Sequence, residues 1–207
     1  IKTTHKLIHE LILGADTGLI GGQNNISLNF TNKERVTANV KAEVIADEGI
    51  EFTKIPKEFK KINDGRYAAE LEITKLAGNL SLNITKGYFF GFRGTKVGTS
   101  YIRGLVTYST KNYGERVLSE LKEGITFTDK SLIVRSNFED LEFESNQART
   151  LKIWLQNLDA ELVIKNVFIK LNGGGVVELP DIFIKEFKPQ EQRRIIDVDF
   201  FAPYFQC

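Results

Sequence analysis

Apolar and polar residues alternate along most of this chain. The clearest run is Val36-Thr37-Ala38-Asn39-Val40-Lys41-Ala42-Glu43-Val44, which alternates without a break. Period two places every second side chain on one face of an extended strand, so one face packs and the other meets water. Tyr67, Ala69, Leu71 and Ile73 repeat the pattern against Arg66, Glu70 and Glu72. Ile26, Leu28 and Phe30 do so against Asn25, Ser27 and Asn29, and Leu80, Leu82 and Ile84 against Asn79, Ser81, Asn83 and Thr85. Ile50 to Ile55 reads as a shorter strand stopped by Pro56. Tyr88 to Thr110 reads as two aromatic strands around Gly91, Gly94 and Gly98, which supply turn conformations that a Cβ penalises. The segment from His5 to Leu13 fits helical and strand periods alike and is assigned to strand because its surroundings are β. About seven strands with turns between them predict a β-sandwich over residues 1–110.

The rhythm breaks at 111–123. Asn112-Tyr113-Gly114 is a turn signal, and Val117, Leu118 and Leu121 fall at helical spacing before Gly124. The spacing predicts a linker carrying one short helix over Glu115–Glu123. Alternation resumes over 124–207, with strands expected at 125–128, 132–135, 141–144, 150–156, 163–171, 176–179, 182–187 and 194–200. Turns are expected at Asn157-Leu158-Asp159, Gly173-Gly174-Gly175 and Lys188-Pro189-Gln190. The expectation is an all-β protein of two antiparallel sandwiches, 1–110 and 124–207.

Three stretches carry a resemblance: Leu151-Lys152-Ile153-Trp154-Leu155-Gln156-Asn157, then Val163-Ile164-Lys165-Asn166-Val167-Phe168-Ile169-Lys170-Leu171, then Phe187-Lys188-Pro189-Gln190-Glu191-Gln192. A strand closing on an Asn-containing turn, a following strand, and a Pro-x-Glu turn before the last strand resemble immunoglobulin-like modules repeated in surface and luminal proteins. Leu28-Asn29-Phe30-Thr31-Asn32 resembles them in the N-terminal half. The two cysteines of antibody domains are missing. The resemblance implies two immunoglobulin-like β-sandwiches, and so widely shared a fold carries no function by itself.

Composition narrows the function classes. Lys and Arg number 28 against 27 Asp and Glu, without the basic excess that nucleic-acid binding needs. Lys57, Lys60 and Lys61 form a local basic cluster, read first as a solvated loop. No apolar run approaches the roughly 20 residues of a membrane span. The lack of Met suggests a mature product or a fragment. The single cysteine, Cys207, excludes an internal disulfide.

Candidate chemistry is sparse. His5 and His9 share a face in either conformation, but zinc needs at least one more ligand. Phe92-Arg93-Gly94-Thr95-Lys96-Val97-Gly98 lacks the Gly-Lys-Ser/Thr ending of a phosphate loop and reads as a turn. Glu139, Asp140, Glu142 and Glu144, with Asp197 and Asp199, are abundant carboxylates. Glu142 and Glu144 alternate with Leu141 and Phe143, which a solvent-facing strand explains before calcium or glycoside hydrolysis does. No catalytic residue, metal or cofactor is expected. Sequons stand at Asn25, Asn29, Asn79 and Asn83, all in the polar phase of strands, and are candidate glycosylation sites on a secretory route.

The sharpest candidates are aromatics in the wrong phase. Trp154 alternates with inward Ile153 and Leu155, Phe168 with inward Val167 and Ile169, and Phe183 with inward Ile182 and Ile184. Outward aromatics form binding hot spots, or else pack on the other domain, the short helix or the aromatic tail at 200–205. The expected function is a non-catalytic structural or protein-interaction module of a secreted, cell-surface or luminal protein. The alternatives are a cytosolic scaffold or trafficking adaptor and a carbohydrate-binding accessory module. The expected partner is a protein, with no nucleic acid and no transmembrane segment.

Overall fold

Alternating sequence becomes strand wherever its apolar phase can be buried. The computed structural model describes residues 7–33, 37–74, 85–110, 113–117, 120–137, 148–172 and 179–201. The chain divides into two compact units, Ile1–Asp129 and Lys130–Cys207. Every regular element among the described residues is a β-strand.

In the first unit a four-stranded antiparallel sheet runs β1 (Leu7–Leu13), β3 (Gln23–Asn32), β8 (Thr85–Gly94), β5 (Ile50–Lys54). Strand is therefore what the ambiguous segment before Gly14 adopts. The second sheet runs β2 (Thr17–Leu19), β11 (Leu121–Thr128), β9 (Gly98–Thr110), β4 (Ala38–Ala46), β7 (Arg66–Ile73), β6 (Lys60–Asn63), with β10 (Tyr113–Val117) also on β9. The two inner faces share one core. Leu28, Phe30, Phe90 and Phe92 come from one sheet, and Val40, Val44, Ile102, Val106, Ile125 and Phe127 from the other. Each fully buried Phe contributes about 1.5–3 kcal/mol. Edge-on ring pairs, Phe59–Phe90 at 4.9 Å and Phe92–Phe127 at 6.4 Å, fix how the layers interlock. Gly94 is obligatory here, because a Cβ on it would lie 2.2 Å from Cδ1 of Phe127.

Two expectations are corrected. The sandwich is not purely antiparallel, because β2 pairs with β11 in parallel through Thr17–Thr126 and Leu19–Thr128. The helix expected at 115–123 is absent among the described residues, where β10 and β11 run back along one edge of β9. Nine residues make a marginal helix in water, whereas the 13-residue β9 offers a long edge for pairing. The apparent helical spacing has a structural source. Tyr113 faces Thr110 but Arg116 faces Tyr108, and Val117 faces Thr107 but Leu121 faces Gly104. An extra residue enters between Tyr113 and Arg116, and such a bulge resets the alternation.

In the second unit β12 (Leu132–Ser136), β13 (Ala148–Asn157) and β16 (Gln192–Phe201) form one sheet, and β14 (Ile164–Ile169) pairs with β15 (Ile182–Phe187). Leu155, Ile184 and Phe187 are its buried centre, with Leu132, Ile164, Val167, Ile169, Ile182 and Ile195 packed around them. Asn166 sits at φ 56°, a left-handed conformation that Asn tolerates better than most residues. It lets Ile164 and Val167 both face inward three positions apart. The strands expected at 141–144 and 176–179, the glycine turn at 173–175 and the aromatic tail beyond Phe201 lie outside the described residues.

Candidate functional site

The β14–β15 ribbon brings two of the three expected aromatics together. Phe168 and Phe183 are direct cross-strand partners, 58% and 61% exposed. Their neighbours Val167, Ile169, Ile182 and Ile184 pack inward. Opposed residues on one sheet face have Cβ atoms about 4.5–5.5 Å apart. The ammonium of Lys170 lies 5.8 Å from the Phe168 ring centroid, a weak cation–π contact.

Trp154 is not part of this pair. It stands on β13 between Arg135 of β12 and Arg194 of β16, half-buried, on the other sheet of the unit. A register shift beside Ile153 makes Arg194 rather than Ile195 its partner. Arg194 also reaches Asp197 at 2.8 Å, and Asp199 accepts a 2.6 Å hydrogen bond from the Thr150 hydroxyl. Those two carboxylates thus have ordinary partners.

The remaining candidates are dispersed. Asn25 and Asn29 both lie on the outer face of the four-stranded sheet, Asn25 exposed and Asn29 half-buried with Nδ2 donating to the Ser27 hydroxyl at 3.3 Å. Asn79, Asn83, His5, Glu139, Asp140, Glu142 and Glu144 lie outside the described residues. His9 is half-buried on β1 opposite Phe30. Among the described residues no three His, Cys, Asp or Glu side chains gather as metal ligands. No described helix is long and apolar enough to cross a membrane. The glycine-rich stretch 92–98 forms the reversal between β8 and β9, with Gly98 at φ 116°. Lys60 and Lys61 are exposed on β6, and Lys61 pairs with Asp64 at 2.6 Å, which raises the lysine's pKa and lowers the aspartate's.

One surface escaped the reading of the sequence. Phe89 is 65% exposed, outward on β8 between inward Tyr88 and Phe90. The phase argument applied to Trp154 marks it equally well, since Tyr88 and Phe90 on either side are inward.

No protein-family model matches the sequence, and no curated protein matches it. Among solved structures the chain is similar to a type I cohesin–dockerin complex from Clostridium thermocellum, with TM-score 0.42 and 10% identity over 58% of this chain and 99% of that one. It is similar to a type II cohesin domain from the cellulosome of Acetivibrio cellulolyticus, with TM-score 0.41 and 12% identity over 58% of this chain and 95% of that one. It is also similar to the major pilin subunit of Bacillus cereus, with TM-score 0.42 and 8% identity over 96% of this chain and 56% of that one. At these TM-scores, function has to be read from the chain's own surfaces.

Proposed function

We propose that this chain is a non-catalytic protein-interaction module of a secreted, cell-surface or luminal protein, with the Phe168–Phe183 pair as an anchor for its protein partner. The observation that carries this reading is the direct opposition of two exposed phenylalanines on one ribbon face. Nothing in the fold requires aromatics there, since the ribbon already packs through its inward aliphatic residues. Exposed rings held rigidly on a sheet lose little conformational freedom on binding, which is why aromatic residues dominate interface hot spots. The test is a double substitution, Phe168→Ser with Phe183→Ser, in the full chain. Photo-crosslinkers at these two positions, in cells that make the protein, should give a discrete protein adduct, and the double variant should lose that partner in a pull-down while unfolding at the same temperature. Equal retention by the native chain and the double variant sinks the reading.

A further inference from the structure

Two of the sequons lie in succession on β3, and the fold treats them differently. Residues two apart on a strand project from one face, so each sequon places its asparagine and its hydroxyl together on the outer face of the four-stranded sheet. Both groups of the Asn29 sequon are engaged. Nδ2 of Asn29 donates to the Ser27 hydroxyl at 3.3 Å, and the Thr31 and Thr85 hydroxyls bond each other at 2.8 Å. Asn29 is also hemmed in, with Glu10 opposite it on β1 and Gly87 on β8. A Cβ on Gly87 would lie 2.7 Å from Oδ1 of Asn29 and 3.3 Å from Cε2 of Phe89, so the amide and the ring already share the space above that glycine. Asn25 is exposed, and its side-chain amide has no partner among the described residues. On the β1 side its neighbour is Gly14, whose amide donates to the Asn25 carbonyl at 2.9 Å and which brings no side chain. On the β8 side stand Gly91 and, beyond it, Lys54 of β5, an exposed side chain.

We propose that Asn25 carries an N-linked glycan and that Asn29 does not. A glycan there rests on the secreted, cell-surface or luminal setting proposed above. In the transfer, Nδ2 of Asn25 forms a bond to the anomeric carbon of a lipid-linked oligosaccharide pyrophosphate. The bond from that carbon to the pyrophosphate oxygen breaks, the lipid pyrophosphate leaves with the electron pair, and the amide gives up one proton. Transfer can precede folding, so the folded sheet decides by whether it accommodates the product. At Asn25 the sugar chain grows into solvent without breaking a side-chain contact. At Asn29 it must displace the Ser27 bond or the Phe89 ring, and a bulky, hydrated chain suits neither. In the row beside Asn25 stand the exposed Ile12 and Phe89, which a glycan on Asn25 would keep away from other molecules.

The experiment uses the full chain purified from cells that make it, with its compartment established by fractionation and protease protection. Residues 7–33 form one tryptic peptide that holds both sequons, so the attachment site is read by electron-transfer fragmentation. The peptide should carry one glycan, on Asn25. Asn25→Gln should remove it completely. Ser27→Ala, which keeps the asparagine and deletes the hydroxyl of its sequon, should do the same even where the glutamine variant folds poorly. Asn29→Gln should leave the glycan in place. A chain recovered outside the cytosol with Asn25 bare overturns the proposal and leaves the functional reading standing, as does a glycan on Asn29. A chain confined to the cytosol overturns both.

Discussion

Asn157 is fully buried at the end of β13, and its side chain is saturated with partners. Its Nδ2 donates to the carbonyls of Leu162 at 2.7 Å and Lys188 at 2.9 Å, while its Oδ1 accepts from the Asp159 amide at 3.0 Å. Gln190, at φ 57°, donates its side-chain amide to the Leu158 carbonyl at 2.7 Å and closes the tie from the other side. The two turns were legible separately, from Asn157-Leu158-Asp159 and Lys188-Pro189-Gln190. That one amide joins them was not, because no local pattern reports a contact across 31 positions. Asn157→Ala strands two carbonyls and an amide, so the second unit should lose about 2–4 kcal/mol. Trp154, the only tryptophan, reports that loss by fluorescence in a denaturant titration. The same turns hold two carboxylates below the ordinary range. Asp159 is lowered by the amides of Glu161 and Leu162, and Glu191 by the amide of Lys188, with Arg193 adding to it. A carboxylate whose folded pKa is depressed stabilises the fold above its unfolded value of about 4 and loses that contribution as pH falls through the folded one. The Trp154 denaturation midpoint should therefore be flat through neutral pH and decline below about pH 4, less steeply in Asp159→Asn. An unchanged slope in that variant would show that the acid response arises elsewhere.

At the scale of elements, strands were legible wherever alternation ran uninterrupted, as in β3, β4 and β7. The helical spacing after Thr110 misleads because pairing to β9 slips register, and Val117 and Leu121, which look like one stripe of a helix, belong to the separate strands β10 and β11. The parallel β2–β11 pair was missed for another reason. β2 is only three residues long, Thr17–Leu19, too short to show any period. Packing between the sheets was legible as composition but not as partnership. Nothing in the sequence shows that Gly94, closing β8, must be bare because Phe127 on β11 fills the space above it. Gly94→Ala forces an inflexible ring, 1% exposed, out of a filled core. Overpacking of this kind costs about 1–3 kcal/mol. Thermal denaturation of the first unit, followed by far-ultraviolet circular dichroism, should shift down accordingly. An unmoved transition would mean that the two sheets can part at that edge without penalty.

At the scale of the molecule, near-neutral net charge goes with ion pairs on both outer faces of the first unit. One face has Arg66 on Glu43 at 2.5 Å and Arg103 near Asp47 at 3.7 Å, and the other has Arg93 on Glu51 at 2.8 Å. Pairs this exposed are worth at most about 1 kcal/mol each, so the stability of the unit rests on its shared aromatic and aliphatic core. It follows that outward charge is tolerated by this sandwich without being needed. Ser27 tests this directly, because it lies between Ile12 and Phe89 in one cross-strand row. Ser27→Lys sacrifices only a 3.3 Å hydrogen bond between half-buried groups. Its effect on stability should stay within about 0.5–1 kcal/mol, read from the thermal transition. A loss of more than about 2 kcal/mol would instead show that the Ser27 hydroxyl and its contact with Asn29 carry stability that the exposed ion pairs do not.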